Sequence, residues 1–142
     1  MRILNMRLLQ LMVMLAAIQA LAGGGYYLWS GVTGLEIFSD LPLEVTGITL
    51  SRIDYMFRAV AGVWFALGVL LVYLAVYVEK HRVVFSIAYF AIFMMGVGRY
   101  LSYMQFGETE GNSHGAMIAE MIVPIIMIAW QQLTVRKYGN GV

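Results

Sequence analysis

Apolar residues gather in four long stretches, 8–29, 55–78, 83–106 and 116–133, separated by segments that carry most of the charge. Each stretch is close to the roughly 20 residues a helix needs to cross a hydrocarbon layer. Backbone groups in that layer must pair within their own segment, and runs of this length do not resemble the short alternating strands of a membrane barrel. The pattern predicts an all-α integral membrane protein, an antiparallel four-transmembrane-helix bundle with residues 1–142 as one domain. Arg2 and Arg7 ahead of the first stretch, and Ala20-Leu21-Ala22 within it, mimic a secretory leader; we read the segment as a membrane anchor.

Lys and Arg mark one side. Arg2 and Arg7, Lys80 and Arg82, and Arg136 and Lys137 fall on the side holding both termini, whereas the opposite connections carry Glu36, Asp40, Glu44, Glu108 and Glu110. Because the cytoplasmic side carries the basic excess, both termini are expected inside. Tyr26, Tyr27, Trp29 and Tyr103 then mark the outer boundary and Tyr73, Tyr77, Trp130 and Tyr138 the inner one. Helices 2 and 3, joined only by Glu79, Lys80, His81 and Arg82, must be antiparallel neighbours. The outer connection 30–51, with apolar clusters at Leu35, Ile37 and Phe38 and at Val45, Ile48 and Leu50, reads either as a cap on the outer interface or as a linker.

Composition sharpens the class. At 61% hydrophobic and 12% charged residues, with a mean hydropathy of +0.79, the chain is too apolar for a water-soluble fold of its size. A net charge of +1 without a basic face argues against nucleic acid. The absence of cysteine excludes disulfides, thiolate nucleophiles and Cys-type metal sites. No phosphate loop, catalytic triad or nucleophile elbow is present, and no cofactor is expected. His114 among Glu108, Glu110 and Glu120 lacks metal-ligand spacing and reads as an exposed loop histidine. The eleven Met residues read as adaptable packing, and Gln10 and Gln19 as candidates for bonds between helices.

Small residues predict where helices touch, since close backbone approach takes the place of a hydrophobic drive in lipid. Ala16, Ala20 and Gly24 form one such line, Gly62 and Ala66 another, and Gly96 with Gly98 a third. Charges within the spans are the strongest functional signal, because one at the bilayer centre costs about 2.5–3.5 kcal/mol even on the mildest scale. Arg58, Arg99 and Glu120 each fall on the order of 8–10 Å below the outer boundary at ~1.5 Å per residue. Asp54 stands one turn from Arg58, Arg99 shares a stripe with Gly96, Ser102 and Tyr103, and Pro124 frees the Glu120 carbonyl and predicts a kink. Both arginines are expected to point inward. One reading makes Asp54, Arg58, Arg99, Ser102, Tyr103 and Glu120 an outward-opening pocket for an amphipathic anion. The other makes them neutralising pairs that set helix register, and the two are compatible.

The run Asp54-Tyr55-Met56-Phe57-Arg58-Ala59-Val60-Ala61-Gly62-Val63-Trp64, the later Gly98-Arg99-Tyr100-Leu101-Ser102, and Glu120 with Pro124 resemble a family of small four-helix bacterial membrane proteins of unknown function. The resemblance implies the four-helix fold and the bacterial inner membrane. Arg58 through Gly62 to Trp64, and Gly98 through Ser102 to Gly107, are more faintly similar to the eukaryotic four-helix scaffold of ergosterol biosynthesis, with Arg99 where that family is expected to carry His. That similarity implies a tethering role.

Three functions follow as expectations. The first is a non-enzymatic accessory or scaffold subunit, with membrane lipids and another membrane protein or a second copy as partners. The second is binding or transport of an anionic, lipid-like ligand. The third is a lipid-modifying enzyme with Glu120 as its sole acid/base candidate and no activated nucleophile. Cysteine introduced at Gly34 and Asn112 is expected to react with impermeant thiol reagents from outside and cysteine at His81 only from inside; outside labelling at position 81 overturns the orientation.

Overall fold

The computed structural model describes residues 2–35, 48–106 and 113–139. Within them the chain is helical: α1 (Arg2–Ser30), a 3-10 turn (Gly31–Leu35), α2 (Ile48–Val76), α3 (Arg82–Phe106) and α4 (Ser113–Gly139). Four of these helices, among the described residues, are long and apolar enough to cross a membrane, so the chain is an all-α, multi-pass membrane protein.

The helices run further than their apolar stretches. α2 begins about two turns before residue 55, taking in Ser51, Arg52 and Asp54, because polar side chains at a boundary reach water without interrupting the backbone ladder. α4 likewise continues past residue 133 to Gly139. The outer connection is therefore shorter than 30–51; Ile37, Phe38 and Val45 of its apolar clusters fall outside the described residues, as do Glu36, Asp40, Glu44, Glu108 and Glu110.

The chain divides into two compact units, one of residues 15–70 and one of residues 1–14 with 71–142. In the first, α1 and α2 touch backbone to backbone. A Cβ added at Gly24 would lie 2.6 Å from the Phe65 amide nitrogen and 3.1 Å from the Ala61 carbonyl oxygen, and one at Gly68 would meet Leu21 at 2.9 Å. The buried line of α1 here is Ala17, Ala20 and Gly24, with Ala16 only half-buried. The α2 contact is Ala61, Phe65 and Gly68 rather than the expected Gly62 and Ala66; Gly62 meets only the tip of Leu28 and Ala66 is exposed. The stripe is turned by one residue because its outward face is as apolar as its inward one, so composition does not say which small residue faces in.

In the second unit, α2 ends at Val76, and the 77–81 turn is held by the Lys80 amide donating to the Tyr77 carbonyl at 3.0 Å. His81 opens α3, its carbonyl accepting from Phe85 N–H at 2.9 Å and its ring nitrogen 2.7 Å from the Tyr73 hydroxyl oxygen. Leu71, Leu74, Val78, Phe85, Tyr89, Pro124 and Gln131 are fully buried. Gln131 donates from Nε2 to the Val78 carbonyl at 3.0 Å, tying α4 to the turn. Gln131 carries no signal of this bond in the sequence, where Gln10 and Gln19 are the glutamines read as candidates for bonds between helices. The Tyr89 hydroxyl and Gln131 Oε1 are buried without a hydrogen-bond partner among the described residues.

α3 and α4 pack closely at Gly96, where a Cβ would lie 2.8 Å from Met121 Cγ and 3.0 Å from the Glu120 carbonyl carbon. Gly98 takes no part: it is exposed, with nothing within 4 Å of an added Cβ. Gly24→Val is expected to cost about 2–3 kcal/mol by driving α1 off the α2 backbone. Gly98→Ala should be neutral or stabilising by up to about 1 kcal/mol. Thermal unfolding in lipid nanodiscs compares them, and equal losses would refute the assigned contacts.

Candidate functional site

α1 stops where Gly31 turns left-handed, φ +63°, which leaves carbonyls at its end without intrahelical donors. Arg58, reaching over from α2, supplies donors. Its Nη1 donates to the Leu28 carbonyl at 2.8 Å and to the Trp29 carbonyl at 2.7 Å. Thr33 donates its hydroxyl to the Ser30 carbonyl at 2.6 Å, so three of the last four carbonyls of α1 have side-chain partners.

Asp54 completes the arrangement. One carboxylate oxygen accepts Arg58 Nε at 2.7 Å, and the other accepts the Val32 amide at 2.9 Å. The i,i+4 spacing lets both side chains rise along one face of α2 to the end of α1. Gly31 lies against them, since a Cβ there would collide with Asp54 Oδ1 and the Arg58 guanidinium. Nη2 of Arg58 is the guanidinium nitrogen with no hydrogen bond among the described residues. A surface hollow of about 490 Å³ opens beside the pair, lined by Leu28, Ser51, Asp54, Tyr55, Arg58 and Ala59.

The second pair belongs to α3 and α4. Arg99 Nε lies 2.8 Å from Glu120 Oε2, with the arginine side chain 49% exposed and the glutamate 14%. The expectation that Arg99 points inward is thus corrected. Gly96 holds the contact line with α4, and Arg99, three residues on, is turned about 60° from it, so it reaches Glu120 from the edge of the helix pair. Although the charges touch, the buried Oε2 accepts no aligned hydrogen bond. Pro124 removes the N–H that would bond the Glu120 carbonyl one turn earlier, and the proline itself is buried in a helix that continues through it.

Of the six candidate residues the structure joins Asp54 with Arg58 and Arg99 with Glu120. Among the described residues no contact joins Ser102 or Tyr103 to either pair. Ser102 is exposed, and Tyr103 sets its ring edge-on to His114 with 5.0 Å between centroids. His114 is therefore a half-buried residue in the first turn of α4 and not a loop histidine. Among the described residues no three His, Cys, Asp or Glu side chains are grouped to hold a metal. What sequence reasoning missed is the second partner of each Asp54–Arg58 member, the α1 end, whose only sequence signal was Gly31 after an unbroken apolar run.

Gly31→Ala is expected to lower stability by roughly 1–3 kcal/mol, combining left-handed strain with displacement of the capping pair. Arg58→Lys should lose about 1–2 kcal/mol, because one ammonium cannot reach two carbonyls and a carboxylate in the guanidinium's geometry. Thermal unfolding in nanodiscs reads both, and wild-type stability in Arg58→Lys would show that the fork is not needed.

No curated protein and no solved structure matches the chain. A family profile does, over residues 8–131, a range that contains both charged pairs and the glycine contacts of α1, α2 and α3. The chain belongs to the family described as domain of unknown function (DUF4345).

Proposed function

We propose that the protein is a non-enzymatic accessory or scaffold subunit that presents a helix face to another membrane protein, or to a second copy of itself, within the bilayer. The observation that supports this reading is Arg99. It stands about 9 Å inside the Arg82–Gln105 span at ~1.5 Å per residue. Its side chain is half exposed beside exposed Tyr100, Leu101 and Met104, and it meets Glu120 through Nε. Guanidinium N–H groups at that depth require acceptors, which carbonyls or carboxylates on a neighbouring helix provide. Glu120 has no nucleophile beside it, which weighs against the enzymatic reading.

The same exposed fork also favours a second reading, capture of an amphipathic anion by Arg99 with its tail along the apolar face. For placement we propose the bacterial inner membrane with both termini cytoplasmic, supported by the Lys and Arg distribution.

A photo-crosslinking amino acid at Leu101, activated in native membranes, tests these readings. The scaffold reading expects one discrete heavier protein adduct, reduced at least about tenfold in Arg99→Gln while thermal stability falls little. Lipid adducts alone would replace it with the anion reading, and a protein adduct unchanged by Arg99→Gln would remove Arg99 from the interface.

A further inference from the structure

A second hollow lies at the other end of the α3–α4 pair. It is a groove of about 620 Å³, open to the surface, lined by Arg82, Val83, Ser86, Ile87, Phe90, Ile128 and Gln132. Neither charged pair contributes to it.

Its lining is ordered along the helices. On α3, Arg82 and Ser86 stand one turn apart at the helix start, and Ile87 and Phe90 follow deeper in the span. On α4, Gln132 stands one turn nearer the same end than Ile128. The α3 wall, with Val83 beside its two polar residues, passes from polar to apolar over about 12 Å, counting eight residues from Arg82 to Phe90 at ~1.5 Å each, and the α4 wall does so over about 6 Å. That is the order of a phospholipid: a phosphodiester at the boundary and acyl chain below.

Charge decides the class of lipid. Lys80 and Arg82 at the start of α3 and Arg136 and Lys137 in the last turns of α4 gather four basic residues at this end, against the single acid Glu79. A groove between transmembrane helices with a basic mouth suits an anionic headgroup, which each nearby Lys or Arg stabilises by about 1 kcal/mol. We propose that this groove binds one anionic phospholipid, with Arg82, Ser86 and Gln132 receiving the phosphodiester and Ile87, Phe90 and Ile128 packing one acyl chain. The site is separate from Arg99 and does not rest on the scaffold reading.

Native mass spectrometry of delipidated protein, titrated with phosphatidylglycerol or phosphatidylcholine, tests the assignment. Wild-type protein should retain one phosphatidylglycerol, held about fivefold or more tighter than phosphatidylcholine. Arg82→Gln should lose about fivefold in phosphatidylglycerol affinity, and Arg82→Lys should recover part of it. Ser86→Phe, which fills the mouth, should lose both lipids. Arg7→Gln, which removes an exposed basic residue outside the groove, should leave binding unchanged. Thermal unfolding of each variant separates lost binding from lost fold. Equal affinity for the two lipids, or an equal loss in Arg7→Gln, would overturn the proposal. Inorganic phosphate displacing phosphatidylglycerol at equal concentration would make the groove a simple anion site and overturn the lipid assignment.

Discussion

A helix end leaves four carbonyls without intrahelical donors, and satisfying them at a membrane boundary demands partners from elsewhere in the chain. In residues 15–70 the rest of the structure depends on how that demand is met. Here the donors come from the neighbouring helix, and a guanidinium offers the most donors per side chain. Arg58 serves Leu28 and Trp29 from one nitrogen and Asp54 from another. Asp54 in turn keeps the cation neutralised and fixes the chain beyond Gly31 by taking the Val32 amide. An isolated arginine at this position would bring an uncompensated charge to the membrane boundary, and an isolated aspartate would do the same with opposite sign. The pair, bonded to each other and to the end of α1 and the turn after it, resolves both demands.

Close approach is the second constraint, and it follows from the first. For Arg58 to reach the end of α1, α2 must lie within a side-chain length of it, and Gly24 and Gly68 allow that distance by letting backbone meet backbone. Lipid tails compete with side chains for apolar contact on equal terms, so the gain comes from packing density where small residues remove the gap. Gly96 does the same between α3 and α4, setting the Glu120 peptide against α3. In that unit the buried amide of Gln131 plays the part that Arg58 plays in the other, a side-chain donor carried to a backbone carbonyl near a helix end, with no charge to neutralise.

The four helices and both charged pairings were legible in the chain, because span length and the cost of buried charge are set by the bilayer and need no knowledge of neighbours. Facing was not. A soluble amphipathic helix announces its inward face by polarity, whereas these helices are apolar all round, and the expected Gly62 and Ala66 contact was one residue away from the observed Ala61, Phe65 and Gly68 line. Gly98 and Gly96 were indistinguishable for the same reason. Helix ends were misjudged at Ser51 to Asp54 and beyond residue 133 because polar residues there continue a helix whose apolar stretch has finished. The capping role of Asp54 and Arg58 was invisible since its other half, the carbonyls of Leu28 and Trp29, is backbone and carries no residue signature.

The two ion pairs, alike in composition, differ in what they leave undone. Asp54 and Arg58 are accounted for by the α1 end: both carboxylate oxygens and two of the three guanidinium nitrogens are engaged, and no ligand is needed to explain why these residue types stand there. Arg99 and Glu120 have no comparable explanation. Gly96 meets Glu120 and Met121 one turn away, so the close helix contact and the ion pair share one stretch of the α3–α4 seam. The pair joins a buried carboxylate oxygen to a guanidinium that is half exposed. A costly group that is only partly paired among the described residues is the better candidate for recognition, and that difference in satisfaction is why we propose recognition for Arg99 while Arg58 is accounted for by the end of α1.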